Sequence, residues 1–116
     1  EYTTKTWNAL NVGTDNQRIS NTAIEVKASQ ASFFGYIFHN NDTATRWVQV
    51  YYKPATDVIV GTTAPNFTIL VPGSGSVAWD FYHPQRQGTG LSVAATTTET
   101  GSSAPTSGAT GAIYYK

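Results

Sequence analysis

No cysteine occurs in this chain of 116 residues. That removes disulfides, thiolate metal sites and cysteine nucleophiles, and it leaves the redox compartment open. Methionine is absent too. With glutamate at position 1, this reads as a processed or trimmed N-terminus, from which a targeting segment could have been lost. No stretch approaches ~18 consecutive apolar residues, so neither a transmembrane helix nor a signal peptide is expected. Charge is scarce: Asp, Glu, Lys and Arg make up 12% of the chain, about half the usual share. Seven basic residues balance seven acidic ones, for a net charge of zero. A nucleic-acid binder relies on a basic field to neutralise phosphates, so that partner class is set aside. Scarce charge on a Thr/Ser/Asn-rich chain favours a surface partly covered by a partner.

What the chain does have is aromatic and β-branched residues, which suit the pleated surface of strands. Aromatics make up 13% of it, with three Trp and seven Tyr. Four apolar-aromatic runs, Arg46–Tyr52, Phe67–Val71, Val77–Phe81 and Leu91–Thr97, are separated by breaks carrying Pro or Gly. None has the helical period, and strands are the reading. Upstream, Thr22–Ala28 places Ile24 and Val26 on one face and Glu25 and Lys27 on the other. Ser32–His39 is apolar almost throughout and reads as a central strand, with Gly35 marking a bulge or a close backbone approach. Tyr2–Trp7 alternates weakly and is either an edge strand or an arm onto a neighbour. Turn formers make Asn8–Asn21 a loop, and a short strand at Val58–Val60 is possible within the connection Ala55–Asn66. Pro72-Gly73-Ser74-Gly75 predicts a hairpin between Phe67–Val71 and Val77–Phe81. Gly, Ser and Thr make Thr98–Gly111 a flexible surface loop, and Ala112–Tyr115 is a last strand.

The expected fold is all-β: one domain over residues 1–116, an antiparallel β-sandwich of jelly-roll or related Greek-key type with about eight strands. Its expected core is Ile24, Val26, Val48, Val50, Phe67, Ile69, Val77, Trp79, Phe81, Leu91 and Val93.

Reactive constellations are thin. His39 and His83 close strands without the ligand spacing of a metal site, even with Asp42 or Asp80 nearby, and read as solvated or hydrogen-bonded. Gly73-Ser74-Gly75-Ser76 lacks the spacing and the strand-to-helix elbow of a hydrolase nucleophile. Gly88-Thr89-Gly90 is too short to cradle a phosphate. A glycosidase pair needs two acids across a cleft, yet the acids mostly fall in turns. Asp80, between Trp79 and Phe81, is the exception, and its plain reading is a hydrogen bond or a salt bridge to Arg46 or Arg86. No enzyme activity, cofactor or metal is expected. The expected interface residues are Tyr2, Trp7, Leu10, Trp47, Tyr51 and Tyr82. Outward Trp47, Tyr51, Tyr36 and Tyr82 suit a sugar platform or a protein interface, with the interface preferred. Two glycosylation sequons, Asn41-Asp42-Thr43 and Asn66-Phe67-Thr68, occur easily by chance.

The runs Arg46–Tyr51, Gly61–Pro65, Thr68–Gly73, Ser76–Phe81 and Thr89–Ala94, taken in order, resemble a pattern in structural proteins of tailed bacteriophages. There an Arg-aromatic-Val strand precedes a Val-Gly-Thr…Pro loop, followed by a strand ending Val-Pro-x-Gly, a Ser-Val-x-Trp-Asp-Phe strand and Thr-Gly-Leu. Phe34-Gly35-Tyr36 and Asn40-Asn41 also fit. The resemblance covers about half of the chain. His83–Gly88 departs from the pattern, and residues 1–21 and 98–111 match nothing in it. The resemblance implies a capsid decoration or cement protein on the virion surface, a homotrimer whose partner is the major capsid protein or another virion protein. The alternative it leaves is a receptor- or carbohydrate-binding module of a head or tail appendage.

Overall fold

A computed structural model describes residues 2–7 and 18–116 of the chain. Eight strands form two antiparallel sheets. In chain order they are β1 (Thr3–Trp7), β2 (Ile24–Lys27), β3 (Ala31–Asn40), β4 (Arg46–Tyr51), β5 (Phe67–Val71), β6 (Ser76–Gln87), β7 (Leu91–Thr96) and β8 (Ala109–Tyr115). The first sheet runs β1-β8-β3-β6 and the second β2-β7-β4-β5. No strand in this order pairs with its immediate neighbour in the sequence, except β4 with β5. That interleaving is the jelly-roll arrangement, in which successive strands cross between two packed sheets.

The two inner faces meet in one apolar core. Val26, Val48, Val50, Ile69, Leu91 and Val93 are buried, and Ile24, Phe67, Val77 and Phe81 pack against them half-buried. Aromatic rings fill one end: Phe33 lies 4.9 Å from Phe81, and Tyr36 stacks on Phe38 at 5.3 Å. Such offset and edge contacts add to the burial of the rings themselves.

Several sequence expectations are corrected here. Phe67–Val71 and Val77–Phe81 are not a hairpin: β5 pairs with β4, while β6 pairs with β3 in the other sheet. The Pro72–Gly75 turn therefore carries the chain around the sandwich edge. It is closed by Gly75 N–H donating to Pro72 O at 3.0 Å and braced by Asn40, whose Nδ2 donates to Val71 O and Pro72 O. Trp79, expected in the core, is 58% exposed. It pairs with Tyr36, but the space beside Tyr36 is already filled by Phe67 and Phe81, each 6.3 Å away. Trp7, expected at an interface, is 6% exposed and sits in the core, because β1 is an intrinsic edge strand paired with β8. Ala55–Asp57 forms one 3-10 turn and no strand follows at Val58–Val60. Ala109–Gly111, assigned to a flexible loop, lie in β8, and β8 pairs with both β1 and β3. Most of the loop expected at Asn8–Asn21, and Leu10 with it, lies outside the described residues.

Candidate functional surface

The two outer faces of the sandwich differ, and loops decide how. The outer face of the second sheet carries Trp47, Gln49 and Tyr51, as the alternation of β4 requires. Yet Gln49 and Tyr51 are fully buried. Tyr51 is thus corrected from interface to interior: it points outward from the sheet and lies beneath the chain's own loops. Its hydroxyl donates to Gln49 Oε1, and Gln49 Nε2 donates to Thr96 Oγ1 at 2.8 Å and to Gly101 O at 3.0 Å. Ser92 Oγ donates to Lys53 O at 2.9 Å. The connection between β4 and β5 approaches the segment around Gly101, since a Cβ on Gly61 would stand 2.7 Å from Ser102 Cβ. Burial raises the pKa of Tyr51, which keeps its hydroxyl neutral and able to donate. Trp47 remains half-buried beside the exposed Leu70.

The loop 98–108 is clipped to the sandwich by one carboxylate. Asp42 is buried; it takes Arg46 Nε–H at 2.7 Å and the backbone N–H groups of Thr106 and Ser107. Desolvation pushes the pKa of Asp42 up, but the Arg46 hydrogen bond and the two backbone donors outweigh it, and the net value lies below the ordinary one. A depressed carboxylate contributes stability above its unfolded value of about 3.9 and loses it as pH falls through the lower folded value. Wild type is therefore expected to exceed Asp42→Asn in stability at pH 7, and the gap should close toward about pH 2. Urea melts of both proteins at the two pH values check this. A gap that does not change with pH would remove the ionised carboxylate from the explanation.

The outer face of the first sheet, by contrast, has no loop of the described residues hydrogen-bonded over it. Pairing and alternation place Tyr2, Phe34, Ile37, Ala78, Asp80, Ala112 and Tyr114 there. Tyr2 lies 5.5 Å from Phe34 and 5.4 Å from Tyr114, ring centre to ring centre. Tyr2 is 51% and Ile37 42% exposed. Two shallow clefts adjoin on this surface. Tyr2, Phe34 and Phe81 line one, Ile37, Ala78 and Trp79 line the other, and Asp80 and Tyr114 line both. The β3–β6 register brings Asp80 opposite Gly35. Beyond that pair the register jumps, and Phe81–Pro84 stand against Phe34 alone. Phe81 faces inward with Val77 by simple alternation, and Tyr82 projects from the bulge, 92% exposed, with its ring 4.5 Å from that of His83. Pro84 is tolerated because β6 is an edge strand.

The structure thus brings Tyr2 and Tyr82 to the surface, leaves Trp47 half-buried and takes Trp7 and Tyr51 inside. Tyr36, also read as outward, lies in the core. Asp80 forms neither of the salt bridges expected of it: Arg46 is committed to Asp42, and Arg86 lies beyond the bulge, opposite Ser32. His39 Nδ1 is 2.8 Å from Ser76 Oγ, and no group of three metal-ligating side chains converges among the described residues. Residues not singled out from the sequence, Phe34, Ile37 and Tyr114, form much of the open surface. The uninterrupted apolar run of β3 hides which of its side chains face outward, and Tyr114 joins them only through the β8–β3 pairing. The chain matches no family model, no curated protein and no solved structure.

Proposed function

We propose that this chain is a virion structural domain of a tailed bacteriophage, a decoration or cement protein that docks on the assembled head shell through the open face of the first sheet. The observation that carries the docking surface is the contrast between the two outer faces. One is largely covered over Gln49 and Tyr51 by the chain's own loops and hydrogen bonds, with Leu70 exposed on β5, and the other exposes Tyr2 and Ile37 around the single carboxylate of Asp80. Exposed apolar clusters of this kind are characteristic of interaction sites. The phage assignment rests on the sequence resemblance over residues 46–94, and the jelly-roll order suits such a domain.

The mechanism is mass action. A protein that binds only the assembled shell lowers the free energy of that state and shifts it away from disassembly. Association as a homotrimer would multiply the contacts each unit makes with neighbouring shell subunits, and a stable contact buries about 1,200–2,000 Å². No catalytic step is part of this reading. The test is to titrate the purified chain onto shells assembled without it and follow their melting. A rise in the melting temperature that saturates at fixed stoichiometry is the expected result; shells that melt unchanged with excess chain contradict it.

The aromatic walls of the two clefts favour a second reading, a carbohydrate- or receptor-binding module, because rings beside a carboxylate suit a sugar face and its hydroxyls. A glycan screen with Tyr114→Ala and Trp47→Ala as controls separates the two readings. Selective glycan capture without shell binding would replace the first by the second.

A further inference from the structure

Among the described residues, Asp80 is the one formally charged side chain lining the clefts of the open face, and none of them pairs with it. Its position is set by a glycine. A Cβ on Gly35 would stand 2.9 Å from Asp80 Oδ1 and 2.6 Å from Trp79 O, so the carboxylate lies over bare backbone in the middle of the sheet. Around it stand Tyr2, Phe34 and Tyr114 on one side and Ile37 and Ala78 on the other. No described residue makes a hydrogen bond or ion pair with it. In the free chain water solvates the carboxylate. Any partner that covers the surrounding rings strips that water, and a carboxylate out of water is unfavourable unless it is paired.

We infer that the partner on this face presents an arginine side chain to Asp80, seated between the tyrosine cluster and Ile37. This rests on the docking reading above and names the chemistry of that docking. Charge complementarity demands a cation, and the surroundings select which one. A guanidinium is planar, weakly hydrated and able to stack on aromatic faces while pairing a carboxylate through two N–H groups. A lysine ammonium is a compact, strongly hydrated charge that gives up more hydration in an aromatic cleft. A saccharide brings several hydroxyls that each need a partner, and the cleft offers one carboxylate and phenolic groups.

Two measurements test this and separate its failure from that of the docking reading. The first is a titration of the whole chain with N-acetyl-arginine methylamide, its lysine analogue and methyl β-glucoside, followed by NMR at the Ile37 methyls and the Tyr114 ring. Saturable shifts with the arginine probe are expected, weakened about tenfold in Asp80→Asn, with smaller effects from lysine. No arginine-dependent shift, or a stronger response to the glucoside, overturns the inference.

The second is co-sedimentation with shells of wild type, Asp80→Asn and Asp80→Lys, each first shown to melt like wild type. Asp80→Lys sets like charges against each other and is expected to weaken binding by at least about a hundredfold, with Asp80→Asn between. Wild type and Asp80→Lys sedimenting equally would sink the arginine contact while leaving docking intact. Wild type failing to sediment would sink the docking reading, and the probe titration would then decide the arginine site alone.

Discussion

Trp7→Ala is expected to destabilise the chain by about 3–5 kcal/mol, the cost of truncating a buried tryptophan. Trp7 is buried at the end of β1, opposite Gly111 of β8, which in turn faces Phe38 of β3. Its ring covers one flank of the core cluster that includes Ile19, Phe38 and Ile113. Removing it opens a void whose lining loses dispersion contacts, and an edge strand of five residues has little else to hold it. Trp79→Ala, the same chemical change at an exposed position, is expected to stay within about 0.5 kcal/mol. Urea titrations of the two variants and wild type measure both. Equal midpoints for Trp7→Ala and wild type would mean that β1 is dispensable to the fold.

Gly111→Ala is expected to cost more than about 4 kcal/mol, in the range reserved for a named structural violation. Gly111 has φ of 141°, a conformation side chains rarely adopt, and a Cβ there would stand 1.9 Å from Ile37 O and 2.9 Å from Phe38 Cα. Both neighbours are backbone of the central strand β3, so relief requires β8 and β3 to separate. Those two strands hold the first sheet together, with β1 on one side and β6 on the other. Gly75→Ala is the control. A Cβ there would meet Pro72 at 3.3 Å, a contact a small adjustment relieves, and its cost should stay within about 1 kcal/mol. Similar melting of the two variants would show that the β3–β8 approach is looser than this geometry.

The strands themselves were legible because period-two alternation and turn residues are local signals. In β4, Val48 and Val50 face in and Trp47, Gln49 and Tyr51 face out, as the alternation reads. The fate of the outward side chains was not legible, since loops distant in sequence decide it. Tyr51 and Gln49 are sealed by a segment around Gly101, some fifty residues on. The Pro72–Gly75 turn illustrates the same limit. Its residues say that the chain reverses, and only the pairing of β5 with β4 and β6 with β3 says that it changes sheets while doing so. Trp7 and Trp79 exchanged roles for a related reason. A weak alternation near the terminus hid a core residue, and a strong one in β6 concealed that Phe67 and Phe81 had already filled the space. At the open face, Asp80 drew notice from its aromatic neighbours in the sequence, but Tyr2, Phe34 and Tyr114 reach it only through three strand pairings.

The claim on which the functional account depends is which face becomes covered. Hydroxyl-radical footprinting of the chain, free and bound to shells, reads it directly. Tyr2, Ile37 and Tyr114 report on the open face, and Ile59 and Leu70, exposed on other parts of the surface, serve as internal references. The account predicts strong protection of the first group on binding and unchanged oxidation at Ile59 and Leu70. Protection of Ile59 and Leu70, with Tyr2 and Ile37 as reactive as in the free chain, would contradict it.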